Sequence, residues 1–278
     1  MIKVGNLTLN NPVCVAAGPW SLDVEPKGIG AIFTKTISRH PKAGTQTLYK
    51  TNMGYVNNYG LVNDGVKDFI NSDLNAYLSK NVSIIVSIYF GPGENHNTTI
   101  RELNNFGVSG FELNISCPNA RGYRLSDLDL NRSVNRIRKI TDLPLWLKLP
   151  PDYSYLSSLL CYNYLEAFDA ITMSNTVKVK VPHYRQPREN RKIISGGLSG
   201  KPLKPLSMAA VSLISEAGIK IPIFGCGGID SKQDVVDYLS MGASAIQIGS
   251  AHLDDINCAN RVSADFNTLR KLDKYRIK

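Results

Sequence analysis

The stretch PIFGCGGIDSKQDVVDYLSMGASAIQIGS, residues 222–250, holds one complete repeat of the fold. Pro222–Gly225 is a short run rich in apolar residues, as expected of a parallel strand buried on both faces. Lys232–Met241 follows with helical periodicity, and Gly242 stands where a helix would stop. Ala245–Gly249 is then a second apolar run, so the segment reads strand, loop, helix, strand. Six runs of the same kind lie upstream: Val13–Ala17, Ala31–Thr36, Ser83–Ile88, Gly110–Ile115, Leu145–Leu149 and Ala170–Ser174. Helical stretches fall between them, among them Thr99–Asn105, Ser133–Ile140 and Met208–Ala217, with Gly107 and Gly218 as further helix ends. Eight strand–helix units in about 250 residues predict an α/β fold, a closed (β/α)8 TIM barrel. The rival, an open doubly wound sheet, rarely carries eight units so evenly repeated.

The 278 residues are 43% hydrophobic and 20% charged, without a low-complexity tract or a composition break. One domain over 1–278 is therefore expected. The long gaps Ser38–Val82 and Val177–Pro205 become loop insertions at the C-terminal face, where barrels place substrate loops. No apolar run reaches the length of a membrane span, and the start MIKVGNLTLNNP shows no secretory signal, so a soluble, intracellular protein is expected. The net charge of +9 gathers in Lys178–Lys192 and Arg270–Lys278. Without a nucleic-acid motif, these basic stretches read as solvated surface with a mild pull on small anions.

Five cysteines, Cys14, Cys117, Cys161, Cys226 and Cys258, are widely spaced and form no C-x-x-C pair, so neither a disulfide framework nor a metal site is signalled. Cys14 and Cys226 sit in apolar runs and read as small core residues. The four histidines do not cluster at metal-ligand spacing, and of these only His183 falls in a loop near the expected substrate face.

Polar residues at the ends of apolar strands carry the functional signal. Lys35, Asn114, Lys148 and Asn175 all stand at the C-terminal ends of different runs. A lysine in such a place is costly without an anion or polar partner, and one alone could be a core ion pair. Two lysines with two asparagines at the same barrel end point to a shared polar ligand site. The glycine clusters Gly225-Cys226-Gly227-Gly228 and Gly249-Ser250 end the last two strands, where barrels commonly hold a phosphate on backbone N–H groups. Glycines alone leave open whether that phosphate belongs to a cofactor or a substrate. Cys117, in Asn114-Ile115-Ser116-Cys117-Pro118-Asn119, leaves the fourth strand at the same face. A thiol there is a candidate proton acceptor, held by the conformational restriction of Pro118.

In these segments the chain resembles the dihydroorotate dehydrogenases, specifically their cytosolic class 1. The matching segments are Ala16-Ala17-Gly18, Thr34-Lys35-Thr36, NNYGLVN (57–63), NISCPN (114–119), Leu147-Lys148-Leu149, Ser174-Asn175-Thr176 and GGLSG (196–200), followed by the two glycine clusters. The resemblance implies FMN as cofactor, its phosphate on Gly227, Gly228, Gly249 and Ser250 with Gly200 nearby. It places Lys148 at the flavin ring, with Ala17, Lys35, Thr36, Ser87, Asn114 and Ser174 completing the pocket. Dihydroorotate would be held by Lys35, Asn57, Gly60, Leu61, Asn114, Asn119, Asn175 and Thr176. Carboxamides suit a pyrimidine-dione, whose edge alternates donors and acceptors.

The implied reaction is oxidation of (S)-dihydroorotate to orotate in pyrimidine biosynthesis, in the cytoplasm. Cys117 would take the C5 proton while hydride passes from C6 to FMN, and Lys148 would stabilise the reduced ring. A cysteine base and no N-terminal membrane-binding extension favour class 1 over the membrane-associated relatives. GGLSG reads closest to the NAD-linked (1B) type, implying a homodimer core and a heterotetramer with an FAD/iron–sulfur subunit. The chain departs from the family pattern at Gly44–Lys50, at Tyr59 and Val62, after Asn119 and in the basic insert. Two other readings are an FMN barrel acting on another pyrimidine or unsaturated substrate, and a non-catalytic barrel holding RNA on its basic loops.

Overall fold

The structure, a computed structural model, describes residues 1–45, 47–52, 54–116, 127–161, 164–182 and 193–271. Its strands in chain order are β1 (Ile2–Val4), β2 (Leu7–Leu9), β3 (Val13–Val15), β4 (Ala31–Phe33), β5 (Thr47–Lys50), β6 (Tyr55–Asn58) and β7 (Ser83–Tyr89), then β8 (Gly110–Asn114), β9 (Leu145–Leu149), β10 (Ala170–Met173), β11 (Val177–Pro182), β12 (Ile193–Ser199), β13 (Ile223–Cys226) and β14 (Ala245–Ile248). The helices are α1 (Gly65–Ser72), α2 (Leu74–Leu78), α3 (His96–Leu103), α4 (Asp127–Ile137), α5 (Tyr153–Cys161), α6 (Lys204–Glu216), α7 (Lys232–Ser240) and α8 (Cys258–Lys271).

Eight strands close a barrel in the order β3-β4-β7-β8-β9-β10-β13-β14. Its strand pairs are parallel, for example Thr172 beside Lys148 and Gln247 beside Cys226. Each of the eight apolar runs read from the sequence becomes one barrel strand. Gly107, Gly218 and Gly242 adopt φ of 76°, 77° and 95°, the left-handed conformation that ends a helix cheaply only at glycine. Helix α7 starts on a reciprocal cap in which Ser231 Oγ accepts from the Asp234 N–H and the Asp234 side chain accepts from the Ser231 N–H.

Alternation along the strands divides the core in two. Outward residues such as Ile84, Leu113, Leu147 and Ile246 pack against buried helix faces, including Val134 and Ile137 of α4 and Val211 and Ile214 of α6. Inward residues form the barrel floor, where Phe33, Trp146 and Phe224 meet edge to face with centroids 5.5–6.0 Å apart. Cys14, Ala31, Ile85, Ala170 and Ala245 complete that layer, and the β1–β2 hairpin seals it from below with Val4 and Leu9. Burial pushes the Cys14 thiol up to about 12.

The two long insertions pair with each other over the other end. β5, β6, β12 and β11 form a four-stranded antiparallel sheet in the order β11-β12-β6-β5. Neither this sheet nor the floor hairpin follows from the apolar runs, because the strands of both alternate exposed with covered residues or lie half-exposed.

Candidate active site

A cavity of about 800 Å³ lies between the C-terminal ends of the barrel strands and the four-stranded sheet, within the range of small-molecule and cofactor sites. Period-two alternation sets what faces it. Two residues above Trp146 on β9 comes Lys148, and two above Glu112 on β8 comes Asn114. Ser174 stands two above Thr172 at the end of β10. The inward register therefore changes from an apolar floor to a polar layer and then to the cavity wall.

Lys148 is both things that a strand lysine can be. Its side chain lines the cavity, yet it is only 5% exposed and lies 3.4 Å from Oε1 of Glu112, which is fully buried. Lys35 is different: it sits beyond the end of β4, exposed on the cavity wall, so it bears no strand-interior desolvation cost. Asn114 and Asn175 are joined directly, Asn175 Nδ2 donating to Asn114 Oδ1 at 3.0 Å and to Ser116 Oγ at 3.1 Å. The two asparagines, from β8 and from just beyond β10 with β9 between them, thus form one joined amide surface. Thr36 lines the cavity beside them, while Ser87 lies fully buried one layer below and off its wall.

At the other end Gly200, Gly227, Gly228, Gly249 and Ser250 come together on the wall. Gly228 has φ of 66°, and a β-carbon there would meet Lys204 Cβ at 2.8 Å and the Gly200 carbonyl at 2.9 Å. A β-carbon on Gly227 would lie 2.5 Å from Ser207 Oγ. Tyr238 of α7 fixes this turn from behind by donating to the Gly227 carbonyl at 2.7 Å. Gly225 makes room for that tyrosine, since a β-carbon would come within 2.2 Å of its ring. Burial pushes the Tyr238 hydroxyl up, so it stays a donor. Cys226, read as a core residue, is buried but also reaches the cavity wall. Burial raises its thiol, an effect that nearby Lys148 opposes.

The sheet side of the cavity brings Asn57, Leu61 and Thr176 together, with Ala17 on the barrel side. Asn57 Nδ2 donates to the Gly197 carbonyl at 3.1 Å across the β6–β12 pair. Gly60 and Leu61 are both left-handed, with φ of 67° and 64°. Buried Asn63 holds that turn, its Oδ1 accepting from the Ser38 and Gly65 N–H groups at 3.0 Å and its Nδ2 donating to the Leu61 carbonyl at 2.7 Å. Gly60 itself sits between the wall residues Tyr59 and Leu61.

Cys117 and Asn119 lie outside the described residues, as do Pro118, His183 and much of the two basic stretches. Glu112 and Asn63 were not singled out in the sequence reading. Glu112 had a signal, being an acid inside an apolar strand two residues before Asn114. Among the described residues, no group of three or more His, Cys, Asp and Glu side chains could hold a metal ion. No described helix is long and apolar enough to cross a membrane.

Residues 1–269 match the family model described as dihydroorotate dehydrogenase. The chain is 32% identical over 265 residues to the dihydroorotate dehydrogenase B (NAD(+)) catalytic subunit of Thermodesulfovibrio yellowstonii, covering 90% of this chain and 87% of that one. The protein of the same name from Geotalea daltonii is 32% identical over 280 residues, covering 95% and 90%. That from Methanocella arvoryzae is 30% identical, covering 99% and 94%. Among solved structures, the dihydroorotate dehydrogenase of Eimeria tenella in complex with ferulenol superposes with a TM-score of 0.77 at 20% identity. The superposition covers 99% of this chain and 86% of that one, a likeness of fold.

Proposed function

Because the chain belongs to the dihydroorotate dehydrogenase family, FMN-dependent oxidoreductases that take dihydroorotate to orotate in pyrimidine biosynthesis, we propose that its cavity binds FMN and dihydroorotate together. The observation that carries the reading is a single cavity with a glycine cradle at one end and Lys148, Asn114 and Asn175 at the other. The cradle suits a phosphate: at Gly200, Gly228 and Gly249 no side chain would stand between the backbone and its oxygens, and Ser250 lies beside them. The cationic Lys148 suits a ring that gains negative charge on reduction.

Bound FMN supplies the hydride acceptor, and the protein supplies position and charge. Lys148, Ala17, Lys35, Thr36, Asn114 and Ser174, all on the cavity wall, would hold the ring, Lys148 with its charge, and Ser87 supports Thr36 from beneath. Dihydroorotate would be held by Lys35, Asn57, Gly60, Leu61, Asn114, Asn119, Asn175 and Thr176, the lysine suiting its carboxylate and the amides its ring edge. Cys117 would take up the C5 proton as hydride leaves C6.

The relatives are named as NAD(+)-linked catalytic subunits, which supports a partner subunit in this system too. We place the barrel, residues 1–278, in a homodimer core with an FAD/iron–sulfur subunit that passes electrons to NAD, in the cytoplasm. The test is purified protein reconstituted with FMN and assayed with dihydroorotate and an artificial electron acceptor. Orotate formation that requires FMN supports the reading, and FMN binding without turnover moves the substrate assignment elsewhere. Native pull-down, with assay for FAD and iron, tests the partner.

A further inference from the structure

The polar layer beneath the cavity is built around one carboxylate. Glu112 is fully buried at the centre of the barrel. Its Oε1 accepts from Ser87 Oγ at 2.9 Å and faces Lys148 Nζ at 3.4 Å. Its Oε2 accepts from Thr172 Oγ1 at 2.9 Å and faces Gln247 Nε2 at 3.5 Å. A carboxylate only accepts, so every partner here must donate.

That requirement propagates upward. The one hydrogen of Ser87 goes to Glu112, so in the 2.9 Å Ser87–Thr36 contact Thr36 is the donor. Thr36 Oγ1 must then accept from Asn114 Nδ2, at 3.1 Å. The Asn114 amide is thereby oriented, with its carbonyl left to receive Asn175 Nδ2 at 3.0 Å. Asn175 also donates to Ser116 Oγ, whose hydrogen goes to the Lys148 carbonyl at 3.0 Å. The chain of bonds starts at the Glu112 carboxylate and returns to the backbone of the lysine that the same carboxylate faces.

We infer that Glu112 is a positioning residue that sets the direction of the hydrogen bonds from the barrel interior to Asn114 and Asn175 and offsets the charge of Lys148 beneath the ring site. It touches neither substrate nor cofactor. An isosteric amide at this place could donate as well as accept, so the direction of the Ser87–Thr36–Asn114 chain would no longer be enforced. It would also remove a negative charge 3.4 Å from the Lys148 ammonium, making the site more favourable to an electron-rich ring. The inference rests on FMN and dihydroorotate occupying this cavity.

The experiment compares wild type, Glu112→Gln and Ser87→Ala, all reconstituted with FMN, by flavin content, flavin midpoint potential and steady-state kinetics with dihydroorotate. Wild-type protein that binds no FMN, or binds it without oxidising dihydroorotate, defeats the functional reading itself. With wild type active, Glu112→Gln is expected to keep FMN while favouring the reduced flavin about tenfold, a rise of about 30 mV for a two-electron couple. Its KM for dihydroorotate is expected to rise about tenfold, as the Asn114 and Asn175 amides lose their fixed orientation. Ser87→Ala cuts the chain but leaves the carboxylate in place, so it should raise KM and leave the potential within twofold of wild type in the same equilibrium. A folded Glu112→Gln protein with both potential and KM unchanged overturns the inference. If that variant does not fold, an unchanged KM in Ser87→Ala overturns it and a raised KM supports it.

Discussion

Gly197 of β12 and Thr176, just beyond β10, meet so closely that a β-carbon on the glycine would lie 2.4 Å from Thr176 Oγ1. The same added atom would come within 3.2 Å of Asn57 Nδ2. A bare backbone at this point lets the outer sheet settle onto the barrel rim and brings two cavity-lining residues together. Gly197→Ala is therefore expected to displace Thr176 and Asn57 while the barrel stays folded. Kinetics with dihydroorotate should show KM raised by about tenfold with FMN content unchanged. Loss of FMN instead would show that this contact supports the cofactor end.

Gly228→Ala acts at the opposite end of the cavity. The left-handed backbone and the Lys204 and Gly200 contacts leave no room for a methyl group, so the turn must open. The expected product is folded protein that has lost most of its FMN, read by absorbance after desalting and by circular dichroism. A stoichiometric flavin content would remove this turn from the phosphate site.

Behind that turn, Asp234 accepts from Lys201 and Lys204 at 2.8 and 2.5 Å and from the N–H groups of Asp230 and Ser231 at 3.0 Å. Burial alone would push its carboxyl up, but the Asp230 N–H, the two ammonium groups and Ser231 together hold it well below the usual carboxylate range. A depressed folded value means stability that is present above the unfolded value of about 4 and lost as pH falls below it. Asp234→Asn should cost about 2–3 kcal/mol at neutral pH, measured by denaturant unfolding, and the gap from wild type should narrow below about pH 4. A gap independent of pH would contradict the charge-based account.

Cys117→Ala removes the proposed base and leaves the cradle glycines and Lys148 unsubstituted. It should retain FMN and lose dihydroorotate oxidation by about 10²–10⁴-fold, measured by orotate formation. Turnover like wild type would take the thiol out of the mechanism.

The barrel was legible because parallel strands buried on both faces leave continuous apolar runs, and all eight runs became strands. The shared location of Lys148, Asn114 and Asn175 was legible for the same reason, since strand ends of a barrel converge on one face. The outer sheet was not, because β11 alternates lysine with valine and β12 contains adjacent glycines, neither of which reads as core. Glu112 escaped notice because its meaning depends on Ser87, Thr172 and Gln247, three partners from other strands. A lysine in an apolar strand can be a core ion pair or part of a ligand site, and Lys148 serves as both.

The central claim, that one cavity brings flavin and dihydroorotate together, is tested most directly by an anaerobic visible spectrum of the FMN-loaded protein before and after dihydroorotate is added. The account predicts an oxidised flavin band that bleaches on addition, without any partner subunit or external acceptor. A band that stays oxidised under those conditions would contradict it.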